Sequence, residues 1–374
     1  MRTDALDYRL PEALIATEPA SPRDSARLLV VDRRSGKVFH HVVKDLPRLA
    51  QRYPAVGLPK AGDVLIVNQT RVLPAYFSAQ REETGGKITG LFLGHGTRES
   101  GRGSDEDWEV LLESGGKLRQ GERVCFGDAG GLLLIEKMGG GRWFGKLQSA
   151  HRTVDFLSLV GRPPLPPYIR KQRQHRGVEE FGGGDVETYN TVYAGGLEMA
   201  GSVAAPTAGL HFTDELLGEL REAGIGLGKV RLDVGLGTFS PIRSEFLSDH
   251  QLHSEKIFVP RQTLDLLKQT RAAGGHLIAV GTTSVRTLES LPDDALRADV
   301  DFVGETNLFV KPNDGFVFRF TDSLLTNFHL PKSSLIALVA SLPGLSVEQI
   351  LDYYAIAIAE GYRFYSYGDA MLIV

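Results

Sequence analysis

The 374-residue chain contains a single cysteine, Cys125. That excludes an intramolecular disulfide and fits a reducing compartment. It also removes iron–sulfur chemistry, because a cluster needs several thiolates. Long apolar runs are missing as well. The most apolar stretch, Ser334–Leu342, is far too short to cross a bilayer. The opening MRTDALDYRL is charged from its second residue, unlike a signal peptide. A cytoplasmic protein without membrane contact is therefore expected. There is no basic excess either: 42 Lys and Arg stand against 46 Asp and Glu, for a net charge of −4. That argues against a dedicated nucleic-acid binder. The histidine-bearing segments show no His–x–x–x–His spacing and no Cys partner, so no metal is expected.

What is present is the composition of an ordinary globular protein, 42% hydrophobic and 24% charged. The chain is long enough for two domains, each with its own core. Two textures divide it. From about Leu73 to Gln148, short strand patterns (VLPAYFSAQ, KITGLFLG, DWEVLLES, ERVCFG, GLLLIEKM, RWFGKLQ) alternate with glycine turns, and no helical period appears. This predicts an all-β module, a small barrel of about six strands. The glycine- and charge-rich Gly94–Asp107 reads as a long hairpin loop or a disordered tip.

The flanks alternate strand and helix. DYRLPEALIAT carries a short helix after Pro11, and ARLLVVDRRSGKVFHH is a strand hairpin turning at Ser35-Gly36. After residue 200, four further units follow, ending with a helix closed by Gly361 and a strand in YRFYSYGDAMLIV. Such alternation predicts a layered α/β sandwich. Because both flanks share it, the barrel is read as an insertion. The expected division is 1–70 and 153–374 for the α/β domain and 71–152 for the barrel. The Pro-rich Arg162–Ile169 forms a stiff return linker.

Three junctions place small polar groups between a strand and a helix: Thr207, Gly209 and His211; Thr282, Thr283 and Ser284; Asn327, His329, Lys332 and Ser333. Were the strands parallel, all three turns would emerge on one edge of the sheet, where ligands of α/β folds bind. One such turn is explained by N-capping alone; three in one domain favour a shared site. His253 and Glu255, two apart on a strand, would share a face, a pattern suited to a base oriented by a carboxylate. For that pair a purely structural role weighs equally. The acid-free stretch YIRKQRQHR carries Arg170, Lys171, Arg173 and Arg176. A solvated loop and an RNA contact explain it equally well.

GSVAAPTAGLHFTDELL (Gly201–Leu217) closely resembles the signature of the S-adenosylmethionine:tRNA ribosyltransferase-isomerases of queuosine biosynthesis. DYRLPEALIATEPASPRDSARLLVVD, GDVLIVNQTRVLPA, RPPLPPYI, TYNTVYA, VGLGTF, IAVGTTSVRTLE, TNFHLPKSSL and YRFYSYGDAMLI extend the resemblance over nearly the whole chain, in order. Departures are Tyr76 where the family pattern has arginine, LFVKPNDGF in place of a Leu-Phe-Ile-Tyr-Pro-Gly wording, and two longer segments, Gly94–Asp107 and Gln172–Val186, expected to be surface insertions.

The resemblance implies an α/β domain carrying a small barrel. It also implies a transferase that moves the ribosyl group of S-adenosylmethionine onto 7-aminomethyl-7-deazaguanine in tRNA. The product is epoxyqueuosine-tRNA, with adenine and methionine released. S-adenosylmethionine would be consumed as co-substrate, with no further cofactor, and a monomer is expected. The resemblance does not settle the residue roles; from residue chemistry and position, proton transfers are assigned to His211, His253, Glu255 and His329, and the methionine carboxylate to Arg286 or Lys332. Asn68, Thr70 and Arg71 are expected at the domain junction, and Thr238 in the glycine loop against the ligand. Tyr367 and Asp369 are assigned to stacking and to the sulfonium. RNA contacts are assigned to Arg170, Lys171 and Arg173. A different nucleotide-using transferase and a non-catalytic RNA-binding module are the competing classes.

Overall fold

The computed structural model describes residues 1–52, 59–96, 104–196, 199–235, 241–297 and 299–374. Its frame is a nine-stranded sheet. In spatial order the strands are Phe302–Thr306, Glu255–Val259, Gly226–Leu232, Val64–Asn68, Leu277–Val280, Ser323–Asn327, Ala370–Ile373, Arg27–Asp32 and Lys37–Val42. The four strands from Gly226–Leu232 to Ser323–Asn327 are mutually parallel. Antiparallel pairings flank them on both sides.

The central strands are apolar on both faces because both are covered. Alternate residues feed two cores. Val64, Ile66, Leu277, Ala279 and Leu324 meet the helices Arg261–Ala272, Thr282–Glu289, Ser334–Ala340 and Val347–Ala359. Leu65, Val67, Ile278, Val280 and Leu325 meet Leu216 and Leu220 of the helix Asp214–Glu222, together with Leu46. This is the layered α/β sandwich predicted from the alternation of elements.

All six strands read from the glycine-punctuated middle form a closed antiparallel barrel. The order is Tyr76–Arg81, Lys87–His95, Asp107–Ser114, Arg142–Gln148, Gly131–Gly139 and Arg123–Cys125, with the last pairing back to the first at Gln80↔Cys125. Its third core contains Phe77, Trp108, Val110 and Trp143. The helix Thr153–Val160 inserts Phe156 and Leu157 into that core, and Trp108 Nε1 donates to Thr153 Oγ1 at 2.7 Å. Gly161–Arg162 then adds a short strand beside Tyr76. Seven residues of the Gly94–Asp107 loop lie outside the described ones; the strands on either side pair as a hairpin.

Several local expectations are corrected. Ala200–Ser202, before the Thr207 turn, joins a separate two-stranded sheet with Arg71–Val72 rather than the main sheet. The extended linker shrinks to Pro163–Pro166, because Pro167 opens a helix, Pro167–His175, as its first residue. Residues 362–369 are irregular, and only Ala370–Ile373 is strand. Their aromatics are buried by packing instead, with Tyr365 held at φ +72°. Gln172–Val186 is not merely a surface insertion, since Gln172, Arg173 and Asp185 are buried.

A candidate active-site cleft at the ends of the parallel strands

The strands Leu277–Val280 and Ser323–Asn327 end side by side, and the 3₁₀ turn Thr207–His211 lies across their ends. Between them is a narrow cleft with about 20 Å³ of free space, lined by Thr207, Ala208, Thr282, Thr283, Thr326, Asn327, His329 and Leu335. The three polar junctions meet here although the first is not fed by the main sheet. Gly281 makes the meeting possible. It follows the strand at φ +85°, a conformation costly for residues with a Cβ, and caps the helix Thr282–Glu289 without a side chain. A Cβ there would reach 3.6 Å from both Ala208 Cβ and Thr283 Oγ1. At Gly281 the constraint is the backbone angle, those contacts being of ordinary length; at Gly209 it is space, since a Cβ would lie 2.0 Å from the Tyr193 hydroxyl.

Polar groups in the cleft are held from behind. Asn327 Nδ2 donates to the Tyr365 carbonyl at 3.0 Å, while Oδ1 is buried without a partner. The Thr283 hydroxyl is likewise buried and unpartnered. His329 Nε2 lies 2.8 Å from Thr326 Oγ1, and burial pushes the imidazole pKa down to about 3. It is neutral at physiological pH. His211 stands behind the turn, with Nδ1 3.0 Å from the Ala208 carbonyl and Nε2 2.9 Å from the Gly368 carbonyl. Burial lowers its pKa, against the pull of those two carbonyls. Neutral imidazole has one N–H for these two acceptors, so only one contact is a hydrogen bond.

Other nominated residues are held elsewhere. His253 is exposed and precedes the Glu255–Val259 strand, whereas Glu255 is buried, so the two do not share a face. Glu255 instead pairs with Arg286 and accepts from the Gly235 amide at 2.8 Å. Arg286 Nε donates to the Leu308 carbonyl at 3.0 Å, and its Nη2 is buried without a partner. Lys332 binds Asp4 at 2.9 Å and Asp7 at 3.0 Å. Ser284 donates to the Val280 carbonyl, and Ser333 caps Ile336. Asp369 accepts from the Arg27 and Arg363 amides at 3.0 and 2.8 Å, a structural clamp. Tyr367 is buried edge-on to Tyr189. Asn68 bridges both backbone groups of Leu232, Thr70 binds Asp233 and Ser202, and Arg71 Nε donates to the Gly195 carbonyl. Thr238 lies outside the described residues. Among the described residues, no group of three or more His, Cys, Asp or Glu is placed to hold a metal.

The family described as Queuosine biosynthesis protein matches residues 3–373. The chain belongs to it. Similar relatives bear the name S-adenosylmethionine:tRNA ribosyltransferase-isomerase. The Desulfitobacterium hafniense protein is 42% identical over the full length of both chains, and the Rubrobacter xylanophilus protein is 42% identical over all of this chain and 98% of its own. The crystal structure of an S-adenosylmethionine tRNA ribosyltransferase from Thermotoga maritima is 29% identical, covers 99% of this chain and 100% of its own, and has a TM-score of 0.52. This member of the ribosyltransferase-isomerase family is thus an enzyme, a transferase-isomerase for which S-adenosylmethionine is a co-substrate. No helix among the described residues is long and apolar enough to cross a membrane.

In this ribosyltransferase-isomerase the basic stretch is a helix rather than a loop. Arg173 is turned inward, bonding Asp185 through both terminal nitrogens at 2.6 and 2.9 Å and Thr17 through its carbonyl, which removes it from any surface contact. Arg170 pairs with Glu180 and lies 4.9 Å over the ring of Tyr76. An arginine from another element thus lies beside Tyr76, where an arginine was expected in the sequence. Lys171 remains exposed. Arg173 and Asp185 also border a wider groove of about 600 Å³, with Glu18, Arg23 and Glu179. Sequence reading missed Thr326, Tyr193 and Leu335. None stands out by pattern, since each matters through its neighbour across the cleft.

Proposed function

We propose that this enzyme transfers and isomerises the ribosyl moiety of S-adenosylmethionine onto 7-aminomethyl-7-deazaguanine in tRNA. The product is epoxyqueuosine-tRNA, with adenine and methionine released. The observation that carries the reading is the convergence of Thr207, Thr283, Asn327 and His329 at the ends of the parallel strands, within a chain whose full-length relatives bear that name. The sulfonium acidifies the ribose 5′ hydrogens. A base removes one, and adenine leaves. The aminomethyl nitrogen then attacks, and closure of the epoxide expels methionine.

His329 is the base we assign, because of the four nominated acid–base groups only it lines the cleft. It enters the reaction neutral, but the burial that keeps it so also makes it a weak base, so the role requires substrate binding to change its surroundings and raise its pKa toward the working pH. His211 is a positioning residue: its ring is buried between the Ala208 and Gly368 carbonyls, one of which accepts its single N–H, where the turn packs on the C-terminal segment. Lys171, on the outer face of its helix, is the RNA contact we retain. A cytoplasmic location goes with these partners.

Incubation with S-adenosylmethionine and precursor-bearing tRNA, followed by nucleoside mass spectrometry, tests the reading. The precursor nucleoside is expected to convert, with free adenine and methionine in equal amounts. An unconverted nucleoside defeats it, and S-adenosylhomocysteine among the products would point to methyl transfer instead. The His329→Asn enzyme is expected to lose at least about a hundredfold in kcat. The His211→Ala enzyme with unchanged turnover at saturating tRNA would remove that residue from the account.

A further inference from the structure

The cleft carries an assignment that the arginine and lysine of the sequence do not. Arg286 and Lys332 were expected to hold the methionine carboxylate, yet Arg286 is tied to Glu255 and Lys332 to two aspartates, and neither lines the cleft. Among the described residues, no charged side chain lines it. Three features with unmet hydrogen-bonding capacity do.

First, the helix Thr282–Glu289 starts here with glycine as its N-cap and no capping side chain. The Gly281 amide is taken by the Leu325 carbonyl, and those of Ser284 and Val285 by the Gly281 carbonyl, whereas the Thr282 and Thr283 amides of the first turn have no backbone acceptor among the described residues. That leaves a helix N-terminus, with its partial positive charge, open to an anion. Second, the Thr283 hydroxyl, on a residue 6% exposed, has no partner. A buried hydroxyl without a bond is costly unless a ligand completes it. Third, Asn327 is 2% exposed and its amide is oriented by the bond to Tyr365, so the unpartnered atom is an acceptor, Oδ1. A donor site for an anion and an acceptor for a cation thus face one uncharged space. A group carrying both charges at once satisfies them, whereas a single net charge would be buried unpaired.

Size decides which part of the substrate this is. About 20 Å³ is free, far too little for a purine, so only the small charged tip of the substrate can reach in between the strand ends, with the rest of the substrate lying outside the cleft. We propose that the cleft takes the α-amino-acid end of S-adenosylmethionine. The carboxylate accepts from the helix N-terminus and the Thr283 hydroxyl, and the ammonium donates to Asn327 Oδ1. Leu335 and Ala208 border the side chain's methylenes. After the reaction, free methionine occupies the same place as a product inhibitor. This rests on the reaction proposed above.

The test compares two product inhibitors on the full-length enzyme, L-methionine and adenine, with L-methioninamide as a probe lacking the carboxylate. Thr283→Val removes the hydroxyl at nearly constant shape and is expected to raise the inhibition constant of methionine about tenfold, a loss typical of one hydrogen bond to a charged group. Adenine inhibition should stay within about twofold, Thr283→Ser should restore methionine, and the amide, whose neutral carbonyl accepts more weakly than a carboxylate, should lose less than methionine does on Thr283→Val. Methionine inhibition unchanged by the substitution, or adenine weakened equally, overturns the assignment. Should Thr283→Val fail to fold, Thr283→Ala is read against the same pair. Calorimetric titration of methionine without tRNA separates the two proposals: Thr283-dependent binding by an enzyme that leaves the nucleoside unconverted upholds this site and defeats the reaction.

Discussion

Lys171 and Arg173 lie two positions apart on one helix, and the fold sends them in opposite directions. The Arg173 guanidinium is buried against Asp185, which holds its pKa above the usual range. Removing the acid strands a buried cation. Asp185→Ala is therefore expected to cost about 3–5 kcal/mol in urea unfolding, and a loss below about 1 kcal/mol would show the pair to be well hydrated. Lys171→Ala should leave stability within about 0.5 kcal/mol. It should instead lower the salt dependence of tRNA binding by about one unit of log–log slope. A slope equal to that of the native enzyme would remove Lys171 from the RNA contact. The sequence shows four cations and no acids within YIRKQRQHR. The partner that decides which of them turns inward stands twelve residues beyond Arg173, past a glycine-rich loop where no periodicity marks it.

At the scale of elements, strand and turn identity was legible wherever local chemistry sets it. The six barrel strands were found because buried Ile88, Phe92, Trp108, Val110 and Leu112 alternate with less buried neighbours between turn glycines. The Tyr362–Tyr367 aromatics imitate that alternation without being a strand, since their burial comes from core packing around Phe328 and Tyr354. The Thr207 turn was found as polar residues before a helix, but its close fit was not visible. Gly209→Ala would press a methyl group on the Tyr193 hydroxyl and push the turn off the cleft. We expect at least about a tenfold loss of kcat/KM for S-adenosylmethionine. Because the nearest clash is with a hydroxyl oxygen, Tyr193→Phe in the same enzyme should restore part of it, a non-additivity that a double-mutant cycle reads directly. Strict additivity would mean that the turn does not position the substrate.

Across the whole molecule, the insertion was legible because texture changes twice along the chain, and the central strand Val64–Asn68 precedes the barrel while its parallel neighbours follow it. What one sequence cannot display is where the chain buries histidine. His329 and His211 both lie in the sandwich with lowered pKa values, His329 down to about 3 from burial. In the unfolded chain each titrates near 6.5. Between those values the unfolded state binds a proton that the native state refuses, so stability is complete above about pH 6.5 and falls as the pH drops. For His329 alone the loss between pH 7 and pH 5 is about 2 kcal/mol, and His211 adds to it with the same sign. Urea unfolding of the native enzyme at the two pH values, beside His329→Gln, separates this from carboxylate titration, which both proteins share. The variant should lose less stability than the native enzyme on acidification, whatever its stability at pH 7. Equal losses would mean that His329 titrates in the folded protein as it does in the unfolded chain, and the lowered pKa on which its neutral state rests would be withdrawn.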